Sequence, residues 1–352
     1  MKCIKGSAVI AVLTMTVVLG GCTNSEAGNA SSEPVTEPHR VIIDSDTGAD
    51  DAMALLMAAK SDNITIEGVT VAVGNVDIDQ AAKNALMTLE VAGCDAPVYK
   101  GAEATFTGAE REIYSVFGED GMGDVGLVHP SREAEDGDAV DFILDTVKNN
   151  PGEIEIMAIG PVTNIANAIE KDPETMAKVK CIWSMGSAGF GPGNATPVAE
   201  FNVYMDAEAY DVMLKSGIPI NIIGLDMCEE ESVLLPGSEL EKMKEGTEVQ
   251  KYCAEAFDKL LEYRKATQNR DDVDICDAIA MAALIWSDYI TDYSEGSAVC
   301  VTDSEAAYGE VIFYDVDKAY DYMQEATENQ VRIAKAQKGD ELLERINELF
   351  EK

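Results

Sequence analysis

Short apolar runs alternate with stretches of helical spacing along most of this chain, and the runs end repeatedly in glycine, asparagine or aspartate. Val41-Ile42-Ile43 predicts a buried strand, and residues 52–60, rich in Ala, Met and Leu, predict a helix just after it. Residues 64–73 form the next expected strand, ending at Gly74-Asn75, with a helix over 77–92. Residues 154–159 run into Gly160-Pro161 ahead of a helix over 163–170. Residues 179–183 lead to Met185-Gly186, and residues 218–223 lead to Gly224-Leu225-Asp226. Residues 252–265 read as one helical stretch, and Asp277 stands at a further helix start. This alternation predicts an α/β fold: an open, mostly parallel central sheet flanked by helices, Rossmann-like in its βα units. No internal repeat and no second composition-defined domain interrupts it.

The first turn carries the densest chemistry: Asp44-Ser45-Asp46-Thr47-Gly48-Ala49-Asp50-Asp51. One aspartate at that place would serve only the dipole of the following helix. Four within eight residues repel one another unless a positive charge lies between them. A hard divalent cation is the simplest counter-charge, since Ca²⁺ takes several oxygen ligands, carboxylates included. Gly48 is expected to supply whatever backbone angles the turn demands. An EF-hand loop opens similarly, but its twelfth position needs a bidentate Glu, and counting from Asp44 that position is Leu55. A phosphatase with an aspartyl nucleophile, of the haloacid dehalogenase type, accounts for Asp44 and Asp46 and leaves Asp50 and Asp51 without a role.

Composition narrows the partners more than the fold. A formal charge of -39 over 352 residues disfavours nucleic acid and phosphorylated small molecules, so neutral substrates or cations fit better. The 46% hydrophobic content suits a single large α/β domain. The N-terminus stands apart. Lys2 and Lys5 precede an apolar segment, residues 8–19, too short to span a bilayer, and Leu19-Gly20-Gly21-Cys22 resembles a bacterial lipobox. The expected organisation is therefore a signal segment over 1–21, lipidation at Cys22, a flexible tether over 22–38 and one domain over 39–352. Such a protein is lipid-anchored to the extracytoplasmic face of the cell membrane. Cys94, Cys181, Cys228, Cys253, Cys276 and Cys300 are widely spaced, without paired or metal-type spacing. They are expected to pack as small buried hydrophobes.

Further strand ends carry polar blocks in a fixed order: Thr70 to Asn75, then Gly160-Pro161-Val162-Thr163-Asn164. After them come Asn194-Ala195-Thr196-Pro197-Val198-Ala199-Glu200-Phe201-Asn202 and Asp206-Ala207-Glu208-Ala209. With the Asp-x-Asp-x-Gly-x-Asp-Asp turn, these blocks resemble the inosine–uridine-type nucleoside hydrolases from about Arg40 to near the C-terminus. The resemblance implies that fold and hydrolysis of the N-glycosidic bond of small, neutral ribonucleosides to ribose and free base. It also implies Ca²⁺ as cofactor and allows a homo-oligomer. A hydrolase of another N-riboside and a non-catalytic nucleoside-binding lipoprotein are the alternative functions.

By this resemblance Asp46, Asp51, Asp277 and the main-chain carbonyl of Ile159 hold Ca²⁺, and Asp46 is also the general base. Asp50, Asn75, Met185, Asn194, Glu200 and Asn202 contact the substrate, and Asp44 supports the loop from behind. Many relatives carry a His immediately before the late Asp, where this chain has Cys276, which places it in the subgroup with Cys for the active-site His. Met122-Gly123 stands where relatives often read His-Gly. An ordinary thiol titrates near ~8.5, so Cys276 can serve as the leaving-group acid if nearby carboxylates keep it protonated. His39 and His129 fall on no motif and are expected to be structural or on the surface. Phe257 and Tyr263 are candidates to stack on the base, Tyr263 the stronger.

Overall fold

The computed structural model describes residues 38–110, 113, 115–315 and 330–352. The expected signal segment, the tether up to residue 37 and Cys22 lie outside the described residues. Six parallel strands form the heart of the domain: β1 (His39–Ser45), β2 (Ile64–Val71), β3 (Val98–Lys100), β4 (Ile154–Ala158), β5 (Cys181–Met185) and β6 (Ile220–Ile223). A short antiparallel pair, β7 (Leu235–Pro236) and β8 (Asp272–Val273), stands apart from them. Three later strands extend the sheet: β9 (Ile290–Cys300), β10 (Val311–Asp315) and β11 (Val331–Gln337). The spatial order is β10-β9-β11-β6-β5-β4-β1-β2-β3, with β11 parallel to β6 and antiparallel to β9.

The continuous apolar runs follow from burial on both faces. Val41 and Ile43 point into one core and Ile42 into the other, all fully buried. Helices Ala49–Lys60, Ile78–Ala92 and Cys276–Ile285 cover the first face. Helices Ala139–Asn149, Thr163–Lys171 and Ala207–Lys215 cover the second. Each large side chain buried this way contributes roughly 1.5–3 kcal/mol.

The strand order reverses between β1 and β4: the chain moves to one side through β2 and β3, then returns to the other. In open α/β sheets the ligand crevice lies at the carboxyl ends of the strands at such a switch point. Here those ends deliver Asp46 and Ile159 side by side, since Asp44 and Ala158 are the last register partners of β1 and β4.

Three details differ from the pattern reading. The stretch 252–265 is two helices, Glu248–Ala256 and Asp258–Gln268, broken at Phe257. Phe257 is fully buried in the core at that break, so it cannot stack on a base in an open site. Gly48 has φ -97°, an extended conformation open to any residue. It is small for space instead, because a Cβ there would meet Asn75 at 3.1 Å and Phe117 at 3.3 Å.

The two histidines sit away from the switch point. His39 Nδ1 pairs with Glu155 at 2.7 Å, and that buried carboxylate also accepts from Lys180 Nζ at 2.8 Å and Trp183 Nε1 at 2.9 Å. Burial alone would raise the pKa of Glu155, but these donors outweigh it and hold the group well below the usual carboxylate range. His129 is exposed beside the Leu127 carbonyl. All six cysteines of the domain are free, four of them buried. No helix among the described residues is long and apolar enough to cross a membrane.

Candidate active site

Asp46 follows directly on β1 and is fully buried between two glycine turns. A Cβ on Gly74 would lie 2.0 Å from Asp46 Oδ2, and one on Gly160 would lie 2.7 Å from Oδ1. Both strand ends are glycine because the backbone must pass this close to the carboxylate. The Asn75 N–H donates to Asp46 Oδ2 at 2.5 Å, while Oδ1 has no hydrogen-bond partner. Asp51 closes the start of the Ala49–Lys60 helix: its Oδ2 accepts from the Gly48 N–H at 2.9 Å and its Oδ1 from Ser45 Oγ at 2.7 Å. Asp44 lies beneath the loop, where its Oδ1 accepts from Thr70 Oγ1 at 2.5 Å and Asn164 Nδ2 at 2.8 Å.

Asp277 arrives from the other direction, in the first turn of the Cys276–Ile285 helix. Asp50, Asp51 and Asp277 each place a carboxylate oxygen within 4.8 Å of the others. Burial, and then mutual repulsion, pushes Asp46, Asp50 and Asp277 well above the ordinary carboxylate pKa. Burial also raises Asp51, but only to about 6, because Gly48 and Ser45 donate to it. At this spacing Asp51 and Asp277 need a shared proton unless a counter-charge lies between them. A cation among them removes that need. The all-oxygen donors, with the unpartnered Asp46 Oδ1 and Asp50 Oδ1, fit a hard divalent ion such as Ca²⁺. The Ile159 carbonyl accepts from Asn202 Nδ2 at 3.1 Å and retains a second lone pair. Asp50, expected from the sequence to contact ribose, therefore stands among the expected metal ligands.

Asp50, Ile159 and Asp277 line a cavity of about 450 Å³, within the range that holds a small organic ligand, whereas Asp46 and Asp51 are not among its lining residues. Asp50, Asn75, Ile159, Met185, Asn194, Glu200, Asn202, Tyr263, Cys276 and Asp277 all line it, so chain segments far apart in sequence meet there. Several also hold the walls. Glu200 caps the Phe201–Met205 helix through the Asn202 and Val203 N–H groups, and burial raises its pKa to about 7. Asn194 Oδ1 accepts from the Phe201 N–H at 2.9 Å. Tyr263 lines the cavity while remaining 44% exposed. The neighbouring Cys228, burial and the charges of Asp274 and Asp50 push the Cys276 thiol well above the usual thiol pKa. It is held protonated, as a leaving-group acid must be.

The sequence pattern of inosine-uridine preferring nucleoside hydrolases matches residues 41–344. The chain belongs to this family. It is 39% identical over 212 residues to Uridine nucleosidase 1 of Arabidopsis thaliana. The alignment covers 60% of this chain and 63% of that protein, so it spans less than two thirds of the relative's length. Its fold superposes on a plant nucleoside hydrolase with a TM-score of 0.81 at 32% identity, covering 89% of this chain and 98% of the other. A purine-preferring ribonucleoside hydrolase from Gardnerella vaginalis gives 0.79 at 28% identity, over 89% and 99% of the two chains.

The sequence reading missed one wall of the cavity. Val116 and Phe117 reach it from the loop before Met122-Gly123, and Leu260, Arg264 and Gln268 reach it from the Asp258–Gln268 helix. The helical residues recur every fourth position, a spacing that could have flagged one face turned to a common surface. Asp274 completes this wall.

Proposed function

We propose that this hydrolase cleaves the N-glycosidic bond of ribonucleosides to ribose and free base, with Ca²⁺ held by Asp46, Asp51, Asp277 and the Ile159 carbonyl. The reading rests on one observation above all: clustered acidic groups, Asp50 with an unpartnered oxygen and Asp277 beside it, line a cavity of nucleoside size in a chain of this family. Bound there, Ca²⁺ would supply a Lewis acid that acidifies a water and orients ribose hydroxyls.

The protein's own groups do the rest. Asp46, with Oδ1 free of partners, takes a proton from the attacking water as its oxygen bonds to C1′. Asp50, Asn75, Asn194, Glu200 and Asn202 hold the ribose hydroxyls, with Met185 against the sugar. The clustered carboxylates stabilise positive charge developing on the ring as the C1′–N bond lengthens. Cys276 gives its proton to the departing base, in the role that His plays in relatives, and Tyr263 closes over the base. Lipidation at Cys22 would place this chemistry at the extracytoplasmic face of the cell membrane. The lipobox-like Leu19-Gly20-Gly21-Cys22 behind an apolar segment supports that placement.

Purified protein should release free base and ribose in equal amounts from at least one common ribonucleoside, read by chromatography and a reducing-sugar assay. Binding of nucleosides without release of either product, across a full panel, would refute the hydrolase in favour of a carrier.

A further inference from the structure

The loop that joins Met185 to Asn194 carries a residue of the cavity wall at each end and is tied down at its middle by one carboxylate. It reads Gly186-Ser187-Ala188-Gly189-Phe190-Gly191-Pro192-Gly193 and follows β5 directly. Ser187 is buried and left-handed, at φ +70°, a strained conformation for a residue with a side chain. Its carbonyl accepts from the Leu225 N–H at 3.0 Å, and its Oγ accepts from the Gly189 N–H at 3.2 Å. Gly189 follows at φ +68°. Asp226, just past β6, reaches into the turn so formed, where its Oδ2 accepts from the Phe190 N–H at 3.0 Å. A Cβ on Gly189 would lie 1.8 Å from Asp226 Oδ1, and one on Gly224 would lie 2.6 Å from the same atom. The glycine turn is therefore wrapped closely round this carboxylate.

Asp226 Oδ1 is buried and has no hydrogen-bond partner among the described residues. A half-satisfied buried carboxylate costs stability, and so does a left-handed serine beside it. Both costs fall where the chain passes from one cavity residue to the next. The far end of the loop closes on its own segment: the Gly193 N–H donates to the Pro197 carbonyl at 3.2 Å, and Asn194 Oδ1 accepts from the Phe201 N–H at 2.9 Å. At its tip Phe190 is 57% exposed and meets Phe313 edge-on, with ring centroids 6.1 Å apart. Asp226 and the Leu225 N–H, both just past β6, tie the middle down. We propose that Asp226 is a positioning residue for sugar binding: by anchoring the turn over 187–190 it holds Met185 and Asn194 at the cavity. The inference rests on the ribonucleoside reading and deepens it, naming what keeps that wall in its binding-competent form.

Asp226→Ala removes the acceptor and leaves a gap beside Gly189, so the turn should populate other conformations. Only the anchored fraction binds, so KM for uridine and for inosine should rise ~10-fold while kcat stays within about 3-fold. Asp226→Asn keeps an oxygen for the Phe190 N–H and should hold KM within about 3-fold of the wild type. Gly189→Ala, whose Cβ would strike Asp226, should reproduce the rise in KM with the carboxylate intact. A role in stability alone would give the opposite split: fewer active molecules, hence lower kcat at unchanged KM.

Chymotrypsin reads the same anchor without turnover, since Phe190 is an exposed aromatic residue followed by glycine. Cleavage after Phe190 should be at least ~10-fold faster in Asp226→Ala than in the wild type or Asp226→Asn, because it tracks the open population. Uridine should slow this cleavage in the wild type, and ~10-fold more uridine should be needed in Asp226→Ala. That pattern in a protein that cleaves no nucleoside would reject the hydrolase reading and keep the positioning role. Unchanged cleavage after Phe190 in Asp226→Ala, or lost kcat with KM unchanged, would overturn it.

Discussion

Replacing Asp46 with asparagine is expected to lower kcat/KM for ribonucleosides by ~10⁴-fold while the fold survives. Asparagine keeps the shape wedged between Gly74 and Gly160, and its oxygen can still accept the Asn75 N–H. What disappears is the proton acceptor at Oδ1, the atom with no other partner. The stability change should run the opposite way. Asp46 is fully buried and repelled by Asp51 and Asp50, so removing its charge should raise the melting temperature of the metal-free protein. Steady-state kinetics together with thermal unfolding in chelator check both signs. Activity within tenfold of wild type would remove Asp46 from the reaction.

Rejection of 2′-deoxyribonucleosides is expected to be nearly as large. Asp50 lines the cavity with Oδ1 buried and unpartnered, beside Asp51 and Asp277. A ribose 2′-hydroxyl can donate to it; a 2′-methylene leaves a buried charge without its hydrogen bond. Sites built around a substrate hydroxyl reject the analogue lacking it by ~10⁴. Inosine should therefore exceed 2′-deoxyinosine by about that factor in kcat/KM. Asp50→Ala should shrink the gap by damaging inosine turnover most. Comparable values for the two substrates in the wild-type enzyme would show that the sugar is not read this way.

The floor of this site is visible in the sequence because each part of it is local. Asp44 to Asp51 follow one apolar run, Gly74-Asn75 and Gly160 end two others, and Cys276-Asp277 opens a helix. Parallel strands put all such ends on one side, so reading the strands locates the floor. The wall carrying Arg264 is hidden for the opposite reason. Leu260, Arg264 and Gln268 are apolar, cationic and neutral polar, so they form no stripe of one chemistry. The Arg264–Asp274 pair spans a loop between a helix and β8 whose course only the structure reveals.

The C-terminal strands were equally hard to see. In β9, ITDYSEGSAVC, polar and small residues break any apolar run, and β9 is held instead by β10 and β11 on its two sides. Gly48 teaches a related lesson. A glycine in a turn suggests unusual backbone angles, yet here the neighbouring Asn75 and Phe117 side chains are what a Cβ would strike. The break at Phe257 is a tertiary effect as well: helix-forming residues on either side are divided where that ring enters the core.

Calcium titration into exhaustively chelated protein, following melting temperature and nucleoside turnover in the same samples, tests the central claim most directly. Asp46, Asp50, Asp51 and Asp277 are buried together and raise one another's pKa values. The metal-free protein should therefore melt at lower temperature and be inactive, and a single equivalent of Ca²⁺ should restore both properties over the same concentration range. Full turnover and an unchanged melting temperature after chelation would contradict the account.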